Sequence, residues 1–344
     1  MAKKENATQV GKDDGNAFVP KDILTFTRIT AFETCPMLDY YQYGVGGRGV
    51  EPTIPYLPFI EGDFGHYAVA MFYKTKRMLR ANLMKRQVKV LSEIRDNQMV
   101  TAEMEGDIRV SLAMLTGAAS GYRDKYIEDF EKYEVLFVEQ PFAFRLGEFQ
   151  VQGKIDRGLQ DKKTGELMSW ETKWVGGLTQ GAYAALPMSL QDLIYCEGFK
   201  AITGQYPTLR CRDYIQKSRL RLKTDKGGGN ESFLQYETRV QQQYVEEKDK
   251  MFWRPPPQIV LPTTIENVKD NVLRLMENRA RVMDNPYMSF SCTGMFGNPC
   301  SMVPACIAKL QGHDDGWNAP ECRGMYRMKK DLHPELKKEK DEED

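Results

Sequence analysis

Asp156, Glu171 and Lys173 are the residues whose types and spacing could do chemistry. Glu171 and Lys173 lie in the stretch SWETKW (169–174), whose other residues read as a buried strand. Ionised side chains are rarely placed in such a setting unless something compensates them. The segment DKKTGE (161–166) reads as a hairpin turn, with Lys162–Gly165 as the loop and Gly165 in the left-handed position. Opposed residues then carry numbers of constant sum, which sets Asp156 against Glu171. Alternation puts Glu171 and Lys173 on one face, and Trp170, Thr172 and Trp174 on the other. Opposed Cβ atoms are roughly 4.5–5.5 Å apart, where like charges repel. A divalent cation would relieve that repulsion, and hard carboxylate oxygens suit Mg²⁺ or Mn²⁺. On spacing alone, the solvated face of an edge hairpin accounts for these residues better.

The elements that must position these residues can be read from periodicity. Residues 60–131 read as helical, with Met, Leu and Val at helical spacing. Residues 134–174 read as three strands: EVLFVEQPFAF, FQVQGKIDRGLQ and LMSWETKW. A helix follows over 189–203, with Ser189 and Asp192 spaced as a capping box. YIQKSRLRLK (214–223) reads as a further strand that ends in the loop TDKGGGNES. Helices over 231–251 and 264–284 are separated by Pro255-Pro256-Pro257. This order implies an α/β fold with a central mixed β-sheet flanked by helices. Residues 1–20 and 323–344 read as disordered charged tails around a single domain, 21–322. Within it fall a helical part (60–131), an α/β core (134–225) and C-terminal helices with a Cys cluster (231–310).

Fourteen residues separate Asp156, in GKIDR, from Glu171, in ETK. That pattern resembles the core motif of the PD-(D/E)XK nuclease superfamily. It looks closest to the RecB-like branch, which includes phage exonucleases and CRISPR-associated exonucleases. The branch's upstream Gly-xxx-His is matched by Gly62 and His66, and its downstream Gln-xxx-Tyr by Gln191 and Tyr195, one helical turn apart. LTFTRITAFETCP (24–36) looks like the branch's opening helix, with Cys35 before a proline. Cys292, Cys300 and Cys306, with seven and then five residues between them, resemble the C-terminal cysteines of the iron–sulfur members. The likeness covers about 24–310. It departs at Thr25 and Thr27, where serines are frequent, at the missing proline before Asp156, and at bulky Trp174, which bears on substrate access.

The resemblance implies a restriction-endonuclease-like core closed by a Cys cluster. It implies a metal held by His66, Asp156, Glu171 and the Thr172 backbone carbonyl, with Lys173 beside the attacking water. Gln191 and Tyr195 would support the metal shell or grip the nucleic-acid backbone. Cys35, Cys292, Cys300 and Cys306 would hold a [4Fe-4S] cluster. Such a cluster joins chain points far apart in sequence, which is worth roughly 5 kcal/mol in loop-closure entropy, so it reads as a structural staple. A zinc site recruiting His313 or Cys322, or inert thiols, are the alternatives. The implied function is a metal-dependent DNA exonuclease in recombination, repair or replication, acting on single strands or duplex ends. No helicase motif is present, so unwinding would come from a helicase or recombination partner. A catalytically silent DNA-binding or assembly subunit and a zinc-stapled structural protein are the other readings.

Two basic stretches could hold phosphates. Lys74–Lys89 carries seven basic residues and no acid, on a predicted helix. In YIQKSRLRLK, period two puts Lys217, Arg219, Arg221 and Lys223 on one face and Leu220 and Leu222 on the other. Such contacts read backbone rather than base sequence. Gly44-Val-Gly-Gly-Arg-Gly49 matches the dinucleotide pattern but lacks the strand before it and the helix after it. Overall charge is zero, so no polyanion partner is announced by the whole-protein field. The start has no apolar core of a signal peptide, and the longest apolar run, Tyr67–Tyr73, is too short to span a bilayer. Seven cysteines without a secretory signal read as reduced thiols in a cytoplasmic protein.

Overall fold

A computed structural model describes residues 23–333 and 336, apart from 55, 96, 98–99, 178–183, 225–228, 290–291 and 293–299. The tail expected over 1–20, and residues 334, 335 and 337–344 of the one expected at the C-terminus, lie outside the described residues. Strand β1 (Ile23–Leu24) leads into α1 (Phe26–Thr34), whose Thr25 cap accepts the Arg28 N–H at 3.3 Å. The short helix α2 (Pro36–Asp39) and strand β2 (Val50–Pro52) follow. The apolar periodicity expected over 60–131 becomes α3 (Leu57–Thr75), α4 (Arg80–Arg95), α5 (Ala102–Tyr126) and the single turn α6 (Asp129–Lys132).

Three strands come next: β3 (Tyr133–Leu146), β4 (Phe149–Asp161) and β5 (Leu167–Val175). Helix α7 (Leu190–Thr203) and strand β6 (Leu209–Gln216) precede α8 (Phe233–Glu246) and α9 (Lys248–Met251). The chain continues through β7 (Phe252–Trp253), β8 (Gln258–Ile259), α10 (Pro262–Val282), α11 (Val303–Leu310) and β9 (Tyr326–Met328). The sheet runs β1-β4-β5-β6-β7, with β3 also on β4 and β8 also on β6. β5 and β6 are parallel, as are β1 and β4, while the hairpins are antiparallel. This is the expected mixed sheet, consistent with a restriction-endonuclease-like core. Among the described residues no helix is long and apolar enough to cross a membrane.

The β4–β5 hairpin has the register its turn dictates. Arg157 faces Trp170 and Gln160 faces Leu167, so the constant sum holds. Gly165 takes φ 74°, and Asp161 Oδ1 accepts the N–H groups of Lys163 and Thr164 at 2.7 and 2.9 Å. The ladder stops at the Arg157–Trp170 pair, while further along β4 the same edge is taken by β1 at Gln150 and Val151. Between these two partners β4 has an open edge, and Asp156 lies on it.

The two faces of the sheet carry separate cores. One, under α3, α4, α5 and α8, gathers Phe64, Phe72, Leu115, Tyr122, Trp170 and Tyr244. The other, under α1, α7 and α10, gathers Ile29, Phe142, Ile155, Phe199, Val272 and Met276. β3 and β4 change faces midway: Val138 and Leu159 join the first core, whereas Phe142, Val151 and Ile155 join the second. The inversion falls at Glu139 and Asp156, which the ladder skips between the pairs Val138–Arg157 and Gln140–Ile155. Glu139 adopts φ 52°, a left-handed conformation that turns the strand over.

Three expectations change. The strand expected over 214–223 instead occupies 209–216, and residues 217–224 carry no ladder. Its start is hidden in the sequence because Arg210, Arg212 and Asp213 are buried or half-buried through polar pairing, so polarity does not mark the outer face. Ser189 does cap α7, accepting the Asp192 N–H at 3.4 Å. The Asp192 carboxylate turns to Arg212 instead of closing the box, and a reciprocal box forms at Ser232 and Gln235. Residues 323–333, assigned to a tail from their charge, carry β9, which pairs with β2 and is followed by the buried residues Leu332 and His333.

Candidate active site

The open edge of β4 gathers the chemistry. Asp156 Oδ2 accepts the Thr172 N–H at 2.7 Å and lies 3.1 Å from His66 Nδ1. That backbone bond holds the two strands together where their ladder has ended. On the other side of the gap, Lys173 Nζ donates to Glu171 Oε1 at 2.5 Å and to Gln191 Oε1 at 2.8 Å. Gln191 Nε2 completes the triangle at Glu171 Oε1, 3.0 Å away. Gln191 lies in the first turn of α7, so the Ser189 cap sets its position. Tyr195, one turn on, contacts the Gln191 side chain and packs edge-on against Phe142 at 5.3 Å.

His66 comes from α3, on the opposite side of the sheet from α7. The approach of α3 depends on Gly65, where a Cβ would stand 2.2 Å from Trp174 Nε1. Trp174 therefore packs on the α3 side with the first core, as alternation requires, and its bulk is turned away from the Glu171–Lys173 face.

The charges are strongly coupled. Burial pushes the Asp156 carboxyl up, but His66, Lys173 and the Thr172 N–H outweigh it and hold it below the usual range. Burial lowers the His66 imidazole, yet the Asp156 carboxylate more than offsets this and lifts it to about 9. Burial and then the Asp156 charge raise Glu171. Burial also disfavours the Lys173 charge, but Glu171 reverses the balance and raises it.

The donor set suits a hard divalent cation. Glu171 is 6% exposed, and its Oε2 is buried with no hydrogen-bond partner. A buried acceptor left unsatisfied costs about 1–3 kcal/mol, more when charged, and a cation would remove that cost. The ligand atoms of His66, Asp156 and Glu139 all lie within 4.8 Å of one another. Glu139 is the residue that the motifs missed. Its carboxyl is raised to about 7, by burial first and then by the Asp156 charge, and it pairs with Lys154. The signal was available: the tight turn after Leu146 pairs Leu146 with Phe149, and the same constant sum sets Glu139 against Asp156.

The expected basic face divides. Lys217 is taken by Glu61 of α3 in a half-buried ion pair. Arg219, Arg221 and Lys223 are exposed, with Leu220 and Leu222 half-buried between them, so the alternation persists without a ladder. Arg219 reaches the Gly176 carbonyl at 3.4 Å, just beyond the end of β5. In the second basic stretch, Arg80 pairs with Glu237 and Arg86 with Asp63.

Cys35, Cys300 and Cys306 border a third apolar cluster built on Met37, Tyr41, Met302 and Ala305, and Cys322 lies within it. Burial works to raise the Cys35 thiol, but hydrogen bonds from Ser289, Leu38 and Met37 outweigh it and lower it. Burial pushes Cys306 up to about 12, and nearby Cys300, Cys35 and Cys292 add to that. The four expected thiols therefore lie within electrostatic reach of one another. Among the described residues no three of them approach as closely as His66, Glu139 and Asp156 do. His313 faces Glu321 at 3.6 Å.

No curated protein matches the chain. The family model of the PD-(D/E)XK nuclease superfamily matches residues 23–306, from the strand that borders the gap to the last of the four expected cysteines, and the chain belongs to that superfamily.

Proposed function

We propose that the protein is a metal-dependent DNA exonuclease with a structural [4Fe-4S] cluster, acting in recombination, repair or replication. The observation that carries the catalytic part is the buried, unpartnered Oε2 of Glu171 in the gap that also holds Asp156 and His66. His66, Asp156, Glu171 and the Thr172 carbonyl would hold Mg²⁺ or Mn²⁺, which nucleases of this superfamily typically use. Such an ion supplies a nucleophilic water and neutralises charge on the phosphate. Lys173, gripped by Glu171 and Gln191, would steer that water and stabilise developing negative charge. Gln191 and Tyr195 fix that lysine and the wall beside it. Arg219, Arg221 and Lys223 would follow the DNA backbone, with binding that weakens as salt rises.

The exonuclease assignment is supported by the Gly62-xxx-His66 and Gln191-xxx-Tyr195 motifs, and the cluster by the four cysteines with N–H groups directed at Cys35. A four-iron cluster stands between its thiolates, which then lie further apart than the ligands of one zinc ion. A helicase or recombination partner would supply unwinding.

A catalytically silent DNA-binding or assembly subunit is the second reading. It is favoured by the way each acid of the gap already has a cation: His66 for Asp156, Lys173 for Glu171, Lys154 for Glu139. End-labelled single- and double-stranded DNA with Mn²⁺ separates the two. Progressive loss of label that Lys173→Ala and Asp156→Ala abolish is the expected result. Intact DNA with the wild-type chain sinks the nuclease reading, and equal digestion by both variants sinks the site. Brown protein containing iron is expected; a colourless chain with stoichiometric zinc overturns the cluster.

A further inference from the structure

A second cavity opens where α3 ends against the outer edge of β3. It measures about 520 Å³, and its lining includes Lys74 in the last turn of α3, Lys76 at its cap, Phe130, Tyr133 and Lys162 of the β4–β5 turn. Tyr73 and Val138 line it too, and both also border the gap that holds His66 and Asp156. His66 and Lys76 are separated by about 15 Å along the helix, so the cavity is a neighbour of the gap and not part of it. Two ammoniums converge there on Phe130. Lys162 Nζ donates to the Phe130 carbonyl at 2.6 Å, and Lys76 Nζ lies 5.7 Å from the centre of the Phe130 ring. Among the lining residues Glu134 alone is acidic. Lys76 takes the left-handed conformation, φ 58°, which costs a lysine more than a glycine. The Phe130 ring is held by Phe72 at 5.1 Å and Tyr73 at 5.6 Å, and the Tyr133 ring stands edge-on to Trp170 at 5.6 Å. The walls are thus fixed aromatic rings and the mouth is cationic.

We propose that this cavity binds a nucleotide, with its phosphate between Lys76 and Lys162 and its base against Phe130 and Tyr133. Two ammoniums drawn to one residue repel each other, and a phosphate between them turns that repulsion into attraction. An aromatic wall beside them suits a base, since stacking is open to every base. The volume falls within the range of small-molecule sites and takes one nucleotide, not a duplex. An open sheet edge also invites a peptide strand, and among the described residues β3 pairs with β4 alone. That edge is guarded, however, by exposed lysines and by a bulge at Leu136, between the Val135–Leu159 and Phe137–Gly158 pairs. The cavity borders the gap along α3, so a nucleotide of a single strand crossing the gap is the expected source. A free mononucleotide offers the same chemistry. The inference sets a second binding site beside the proposed nuclease centre and needs no metal.

Thymidine 5′-monophosphate and a short oligothymidylate, each titrated into the full-length protein in EDTA, test this. Lys76→Gln with Lys162→Gln removes both ammoniums; the two side chains are exposed, so the melting temperature should hold. The double variant is expected to bind the oligothymidylate about tenfold more weakly or worse, with a log–log salt slope lower by about 1.4, at roughly 0.7 per phosphate contact. Lys76→Arg with Lys162→Arg, which keeps both charges, should restore binding. A loss for the oligothymidylate alone assigns the cavity to a strand, and a loss that includes the monophosphate admits a free nucleotide. Equal affinities of the wild type and the glutamine variant overturn the site, as does a wild type that binds neither probe. An abasic oligomer of the same length that binds as tightly as the oligothymidylate overturns the base wall. DNA cleavage with Mn²⁺ is followed in parallel. Cleavage by a wild type whose binding the glutamine variant matches fails the cavity alone, and binding through the lysines without cleavage fails the nuclease reading alone.

Discussion

Arg157 donates to the Thr172 hydroxyl at 2.7 Å, while the N–H of the same threonine donates to Asp156 Oδ2 at 2.7 Å. Residues adjacent in β4 thus hold one residue of β5 by two bonds, at the point where the ladder ends. Arg157 is itself fixed, 1% exposed between the Tyr73 and Trp170 rings and paired with Asp213.

Thr172→Val tests that grip. The variant fills nearly the same space and leaves one Arg157 N–H unpaired, at a cost of about 1–3 kcal/mol. We expect a lower melting temperature and DNA cleavage slowed by about tenfold, because residue 172, whose N–H orients Asp156, is no longer fixed by the Arg157 bond. Thr172→Ser, which keeps the hydroxyl, should restore both. Cleavage rates and melting curves of the two variants check it, and a valine variant as fast as the wild type removes the positioning role.

Asp213 sets an acid limit on stability. Burial raises its carboxyl, but Arg254 and Arg157 outweigh burial and hold it below the usual range. A carboxyl depressed by folding stabilises above its unfolded pKa, about 3.9, and that stability is lost as pH falls through the lower folded value. The wild type should therefore lose stability below about pH 4 more steeply than Asp213→Asn does. At neutral pH the variant should be weaker by about 3–5 kcal/mol, since two guanidiniums lose their shared partner. Unfolding followed from pH 3 to 7 decides it, and parallel acid slopes would falsify the assignment.

Gly65→Ala should force Trp174 and α3 apart, since the new Cβ would overlap the indole at 2.2 Å. Overpacking of this kind costs about 1–3 kcal/mol, and His66, the next residue, should move with the helix and slow cleavage. Trimming the ring as well, in Gly65→Ala with Trp174→Leu, should recover part of the loss. A double-mutant cycle on stability measures that coupling, and strictly additive effects would show that the two residues do not press on each other.

How far the sequence carries depends on how local each signal is. The hairpin holding Asp156 and Glu171 was legible because Gly165 and a short loop fix the register within a few residues. Helices α3 to α5 were legible from their apolar period. Glu139 was missed, although the turn at Gly147 carries the same kind of information, because no motif directed attention to β3. The start of β6 was not legible, since Arg210, Arg212 and Asp213 hide a covered strand behind polar side chains. The buried network of Arg157, Asp213, Arg254 and Asp129 joins residues far apart in sequence without any period, so only the fold brings it together. β9 was hidden among charges because its pairing partner, β2, lies at the other end of the chain.

Helix α1 has nine residues, and its two ends do different things. Immediately before it, β1 closes the far end of the β4 gap; immediately after it comes Cys35. At about 1.5 Å per residue it is a stiff rod less than three turns long. Whatever seizes or releases that thiol therefore pulls on the wall of the candidate active site, and damage at the cysteines would first be felt as a loosened doorway to that gap rather than as an unfolded protein.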